Sequence, residues 1–199
     1  MSRISGHRPA VRSFVVFSLL SLASGCGSNA NLAGIGLSGL RPSKSWAAAD
    51  PSSFVVPGRA IAAWRSSDGG SLVVLRALAA PRTDAAGLAS EMTTRLENLP
   101  ELRIVKSSGR FVGGVQSAII EIVAPGTGDA IAPSGLGRPI GADDRPLIPT
   151  RRIAVGIPGR NQTVWLIWHA PESAAASLSS EVDSVLDGLR IDDPPPPSS

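Results

Sequence analysis

Leu88, Met92, Leu96 and Leu99 recur at i, i+4, i+8 and i+11, which puts them on one face of a helix. Thr83 or Asp84 can cap its start, and Pro100 enforces its stop. A second apolar stripe, Leu178, Val182, Val185, Leu186 and Leu189, follows Pro171. Glu172 falls in the first turn of that helix, where negative charge suits the helix dipole.

Shorter apolar runs read as strands. Residues 60–64 and 71–76 flank Ser67-Asp68-Gly69-Gly70, a hairpin turn in composition. Residues 102–106 and 117–123 flank the glycine-bearing Ser108-Gly109 and Gly113-Gly114. Residues 152–157 and 163–169 flank Pro158-Gly159-Arg160-Asn161. From Val164 to Trp168 every side chain is apolar, so both faces of that strand must be covered. The pattern predicts an α+β fold: a mostly antiparallel sheet with helices packed on it, an α-β-α sandwich.

The ends of the chain are built differently. Arg3, Arg8 and Arg12 precede an apolar run from Phe14 to Leu22, and small residues follow. Basic, apolar and small-residue segments in that order make a secretory signal peptide. The apolar run is far short of the roughly 20 residues that span a bilayer as a helix. It ends in Leu22-Ala23-Ser24-Gly25-Cys26, and Cys26 is the only cysteine of the chain. That segment resembles the lipobox of bacterial lipoproteins, with Ala23 at the position where leucine is usual and Leu22 one step further out. The resemblance implies that the Cys26 sulfur takes a diacylglycerol, that the signal is cut before it, and that the new amino terminus is often acylated. The plainer alternative is a secretory signal cut after Ala30, which would discard Cys26. Acyl chains gain about 0.8 kcal/mol per buried methylene, and two or more anchor stably. Gly27 stands where an aspartate would retain a lipoprotein at an inner membrane. In a two-membrane cell the resemblance then implies the outer membrane, with the domain facing the periplasm.

The boundaries expected are therefore a signal over 1–25, a flexible tether over 26–45, a globular domain over 46–191 and a disordered proline-rich tail over 192–199. Gly-, Ser- and Asn-rich composition supports the tether, and Pro194 to Pro197 supports the tail. Removing residues 1–25 leaves 174 of the 199, enough for one core. The chain has 19 Lys and Arg against 16 Asp and Glu, and three of the arginines lie in the signal, so the remainder carries 16 of each. A neutral domain lacks the electrostatic footprint of nucleic-acid binding. With Cys26 lipidated no thiol remains for a disulfide, so stability must come from packing.

Chemistry-bearing residues are sparse. His7 lies in the signal, leaving His169, and no clustered His, Cys, Asp and Glu spacing fits a metal site. His169 is expected to cap or hydrogen-bond at a strand edge. Ser66 or Ser67 could pair with it only through geometry that no motif supports. Gly34-Ile35-Gly36 is linker composition, because no strand leads into it. Asp143-Asp144 reads as solvated loop charge. No catalytic residue, metal ligand or cofactor is assigned. Trp64, Trp165 and Trp168 are expected in the core, with Trp46 exposed or latching the tether to the domain. Residues 124–150 carry many prolines and glycines and read as one long loop, either a partner-binding lid or a variable insertion. Arg138, Arg145, Arg151 and Arg152 add positive charge near its end.

The order of elements, with Trp64, Ser71-Leu72-Val73-Val74, the run from Val112 to Ala118, residues 163–169 and the closing 182–191, resembles the PsbP-like α-β-α sandwich superfamily. That superfamily includes small bacterial envelope lipoproteins. The resemblance implies a scaffold or binding role more often than catalysis, and it transfers no functional residue. The expectation is a non-enzymatic protein held to the membrane by its lipid and bound to another envelope protein. The alternatives are a lipid or small-ligand carrier with an apolar pocket and, weakest, an envelope hydrolase.

Overall fold

The structure is a computed structural model, and it describes residues 32–54, 58–77, 81–82, 84–97, 102–126 and 148–192. The strands are β1 (Leu37–Ser38), β2 (Trp46–Ala49), β3 (Gly58–Ser66), β4 (Ser71–Ala77), β5 (Arg103–Val112), β6 (Val115–Gly126), β7 (Ile148–Ile157), β8 (Val164–Pro171) and β9 (Arg190–Ile191). The helices are α1 (Ala85–Glu97), between β4 and β5, and α2 (Ala175–Gly188), between β8 and β9. Seven strands form one sheet in the order β2-β3-β4-β8-β7-β6-β5, with every neighbouring pair antiparallel.

β8 lies at the centre of that sheet, and its alternation sorts the core into two layers. Leu166 and Trp168 join Leu72, Val74, Ile153 and Val155 on one face, under Leu178, Val182, Val185 and Leu186 of α2. Trp165 and Ile167 face the other way, with Val73, Leu75 and Leu88 of α1. Further along α1, Leu96 packs on Ile120 and Ile122 of β6. The α-β-α sandwich expected from the two greasy faces of 164–168 is the architecture found. Trp64, Trp165 and Trp168 are buried within it, while Trp46 is half-buried against the α2-side core.

Both helix readings hold in substance. Asp84 caps α1: its Oδ1 accepts from the Gly87 N–H at 2.5 Å and its carbonyl accepts from Leu88 N–H. Leu99 and Pro100 lie outside the described residues. α2 begins after a 3-10 turn at Glu172–Ala174, and Leu189 follows its last residue in extended conformation while staying buried. The β5–β6 hairpin is longer than the sequence pattern implied. β5 runs through Ser108-Gly109, and the turn is made by Gly113-Gly114 alone, at φ 54 and 84. That left-handed pair matches a two-residue hairpin turn.

Two boundaries need correction. The tether expected over 26–45 does not extend through 32–45, where Leu32, Ile35, Leu37 and Leu40 are buried in the α2-side core. β1 also pairs with β9, as Leu37↔Ile191 and Ser38↔Arg190. Four isolated apolar residues among glycines and serines carry no period, yet all four are buried in the α2-side core. At Gly39, φ is +75 and a Cβ would clash with the Gly188 carbonyl, so the arm can pass there only as glycine. The long loop also shrinks. Ala124, Pro125 and Gly126 pair with Thr150, Pro149 and Ile148, so 124–126 and 148–150 belong to β6 and β7. Residues 127–147, with Asp143, Asp144, Arg138 and Arg145, lie outside the described residues, as do 1–31 and 193–199.

Leu37→Ala should destabilise the domain by about 2–4 kcal/mol, the cost of emptying a buried leucine site. Urea unfolding monitored by tryptophan fluorescence measures this, and a segment that merely tethered the domain would give no change.

Candidate functional site

The charged groups of β7 part in opposite directions. Arg151 lies on the α2 side and bridges two elements, donating to Glu121 of β6 and, from Nη2 and Nε, to Glu172 at 2.5 and 3.1 Å. Those carboxylates hold the guanidinium pKa well above its ordinary value, with Glu172 the larger influence. The same bonds hold Glu172 below the usual carboxylate range. Glu172 thus serves as an ion-pair partner across the sheet end. Arg110 of β5 makes a parallel bridge to Asp183 and Asp187, one turn apart on α2.

Arg152 points to the α1 side, two and four residues from Ala154 and Gly156 in the strand alternation. It is 2% exposed, and its Nε and Nη1 have no hydrogen-bond partner among the described residues. His169 is its neighbour in the β7–β8 ladder, and on the other side His169 faces the buried Ser71 of β4. His169 is 1% exposed, with Nε2 unpartnered. The expected strand-edge cap is therefore corrected: His169 sits in the central strand of the sheet and makes no hydrogen bond there through Nε2.

Burial sets the chemistry of the pair. Desolvation pushes Arg152 down to about 10. Desolvation first, and then the charge of Arg152, push His169 down to about 4. At neutral pH a cationic guanidinium lies beside a neutral imidazole. Among the described residues no serine or carboxylate is bonded to Nε2 of His169. Ser66 is engaged in its own turn, bonding to Asp68 and accepting from the Gly70 N–H at 2.9 Å. Ser67 is exposed in the same turn.

A second feature is a cleft of about 520 Å³ at the end of the sheet where β4 finishes and β8 starts. The arm at 33–37, Arg76, the β7–β8 turn with Arg160, and Ile191-Asp192 line it. Gly34-Ile35-Gly36 belongs to this wall, with Ile35 buried in the core. A smaller cleft of about 130 Å³ lies at the opposite end, between Trp46, the β3–β4 turn and α2. Cys26 lies outside the described residues. No helix among them is long and apolar enough to cross a membrane.

These layers and connections correspond to a known structure, cyanobacterial PsbP (CyanoP) from Synechocystis. It superposes with a TM-score of 0.52 at 12% identity, over 79% of this chain and 88% of that one. The fold is PsbP-like. LpqN, described as involved in cell envelope biogenesis of Mycobacterium tuberculosis, aligns at a TM-score of 0.41 and 14% identity, over 78% of this chain and 83% of that one. No family model and no curated protein matches the chain. At such identities the PsbP-like fold is what is shared.

Sequence reading missed Arg152, which it placed among the charges near the end of a loop. The signal was present: Arg152 shares its strand parity with Ala154 and Gly156, the small residues beneath Trp165. A Cβ at Gly156 would lie 2.6 Å from the Trp165 ring.

Two outcomes follow for this PsbP-like core. Arg152→Met should raise stability by about 1–3 kcal/mol in urea unfolding at pH 7, because a buried cation whose Nε and Nη1 lack partners among the described residues gives way to an apolar side chain of similar length. The folded state disfavours His169 protonation, whereas the unfolded chain takes that proton near pH 6.5. Stability is therefore complete above about pH 6.5 and falls by on the order of 3 kcal/mol as pH drops towards 4. His169→Gln should flatten that slope between about pH 6.5 and 5, above the range in which Glu172 titrates.

Proposed function

We propose that this chain is a lipid-anchored, non-enzymatic module of the bacterial cell envelope that binds or supports another envelope protein. The observation that carries the reading is the run of basic, apolar and small residues ending in Leu22-Ala23-Ser24-Gly25-Cys26. In this reading Cys26 bears the lipid and the domain faces the periplasm, on the outer membrane where the cell has two.

The fold supports a binding role more readily than a carrier role. Both faces of the sheet are filled by side chains, including Trp165 on one and Trp168 on the other. The two clefts described above lie at the sheet's ends and are bordered by backbone and polar groups as much as by apolar ones. The partner-facing segment is 127–147. Its ends, Gly126 and Ile148, lie at the opposite end of β6 and β7 from Ala118 and Gly156, beside the β7–β8 turn.

Cell fractionation with metabolic labelling by a fatty-acid analogue tests the anchor. The wild-type chain should take up label and sediment with membranes, and Cys26→Ala should do neither. Membrane retention of the variant together with an unlabelled wild type would overturn the reading.

A further inference from the structure

Both ends of the described chain converge on one end of the sheet. The arm enters at Leu32, β1 pairs with β9, and Asp192 N–H donates to the Gly36 carbonyl at 2.9 Å. The arm and β9 together wall the Arg76–Arg160 cleft. The β5–β6 turn is at this end too: a Cβ at Gly113 would lie 3.0 Å from the Ile191 nitrogen. Two residues before that turn is Phe111, which at 71% is the most exposed large apolar side chain among the described residues. One exposed phenylalanine is unremarkable by itself. Here it shares an end with two arginines and with the point where the chain leaves towards Cys26.

The length of the leash gives that coincidence meaning. Five residues separate Cys26 from Leu32, and the six Cα-to-Cα steps reach only about 21 Å at full extension. Leu32 itself is packed in the core and cannot pay out more chain. The eight residues of β8 alone span about 26 Å. A domain held so closely presents the arm's end to the bilayer, while the β3–β4 turn and the ends of 127–147 stay on the far side.

Resting on the anchor at Cys26, we propose that this end of the domain docks on the membrane that carries it. Phe111 enters the boundary between headgroups and acyl chains, and Arg76 and Arg160 meet the phosphates of anionic phospholipids. The chemistry fits: an aromatic side chain partitions into the interface, and basic residues beside it are drawn to anionic lipid. The acidic group of the cleft, Asp192, is held by the Ser38 hydroxyl, which donates to its Oδ1 at 3.0 Å.

The test uses the purified lipidated chain in proteoliposomes. Lipidation occupies Cys26, the chain's only cysteine, so a single new thiol can be labelled specifically. Gln116→Cys places a fluorophore beside Phe111 on an exposed site, and Ser67→Cys places one in the β3–β4 turn. In phosphatidylglycerol vesicles, spin-labelled lipid should quench the Gln116→Cys probe several-fold more than the Ser67→Cys probe. That difference should shrink in phosphatidylcholine, and also when Phe111→Ser or the pair Arg76→Gln and Arg160→Gln is added. Mass spectrometry of the chain separates the two ways to fail. Lipidated protein with equal quenching at both probes overturns the docking alone, and this includes the outcome in which the end serves a protein partner. A chain without lipid overturns the anchor and the docking together.

Discussion

A strand that is apolar on both faces must be covered twice, and β8 imposes that condition on everything around it. Trp165 and Ile167 point to one side, Leu166 and Trp168 to the other, and all four are buried. Leaving either pair in water would forgo about 1.5–3 kcal/mol for each large side chain. One helix cannot satisfy both faces, so the chain sends α1 across one and α2 across the other. β4 and β7 flank β8 and inherit the same double burial. Gly156 of β7 is glycine because the Trp165 ring occupies the space a side chain would take. The antiparallel order then follows from hairpins at 67–70 and 158–163, which set β4, β8 and β7 next to their sequence neighbours or to the strand they cover.

The same condition explains a costly feature of the described core. Once a face is sealed against water, any polar side chain on it loses hydration. Arg152 and His169 are such side chains, adjacent in the ladder at the centre of the sheet. Elsewhere the domain treats arginines differently. Arg151, one residue earlier and on the other side, has two carboxylates on hand, and Arg110 also has two. The contrast is physical: Arg151 and Arg110 reach the rim of the α2 face, where acidic residues of the turn and helix are available. Arg152 faces the interior of the α1 layer, among hydrophobic neighbours such as Ile122 in the adjacent strand. Proteins hold such unfavourable groups mainly where they are not optimised for stability alone.

How much of this was legible depended on whether residues repeat. The two helices and six of the strands announced themselves by stripe or alternation, and the two-faced strand dictated the sandwich. β1, β2 and β9 did not, because two to four residues cannot display a period. The arm was hidden more thoroughly. Leu32, Ile35, Leu37 and Leu40 sit among Gly and Ser, and composition alone favours flexible chain. What overrides composition is burial in the α2-side core, a long-range contact that no local period records. His169 was misplaced for a related reason: Ala170-Pro171 looks like the edge of an element, whereas β8 continues through Pro171. The ends of the 124–150 segment were likewise absorbed into β6 and β7 by pairing, since a hairpin ladder extends as far as both strands can follow it.

The arm also changes what the fold means for a protein attached by its amino terminus. A long flexible tether makes orientation irrelevant, because the domain samples every attitude above the surface. With Leu32, Ile35, Leu37 and Leu40 packed in the core, an attachment point just before them would become a coordinate of the fold. Antiparallel strands then translate that coordinate into function. Hairpin turns alternate between the two ends of the sheet, so β5–β6 and β7–β8 turn beside the arm while β3–β4 and β6–β7 turn opposite it. The arm's end holds Phe111 and the cleft lined by Arg76 and Arg160, and the paired ends of β6 and β7 at Gly126 and Ile148 lie at the opposite end. Under the proposed anchoring, strand parity and hairpin order, settled by covering β8, would separate a surface facing the membrane from one available to a partner.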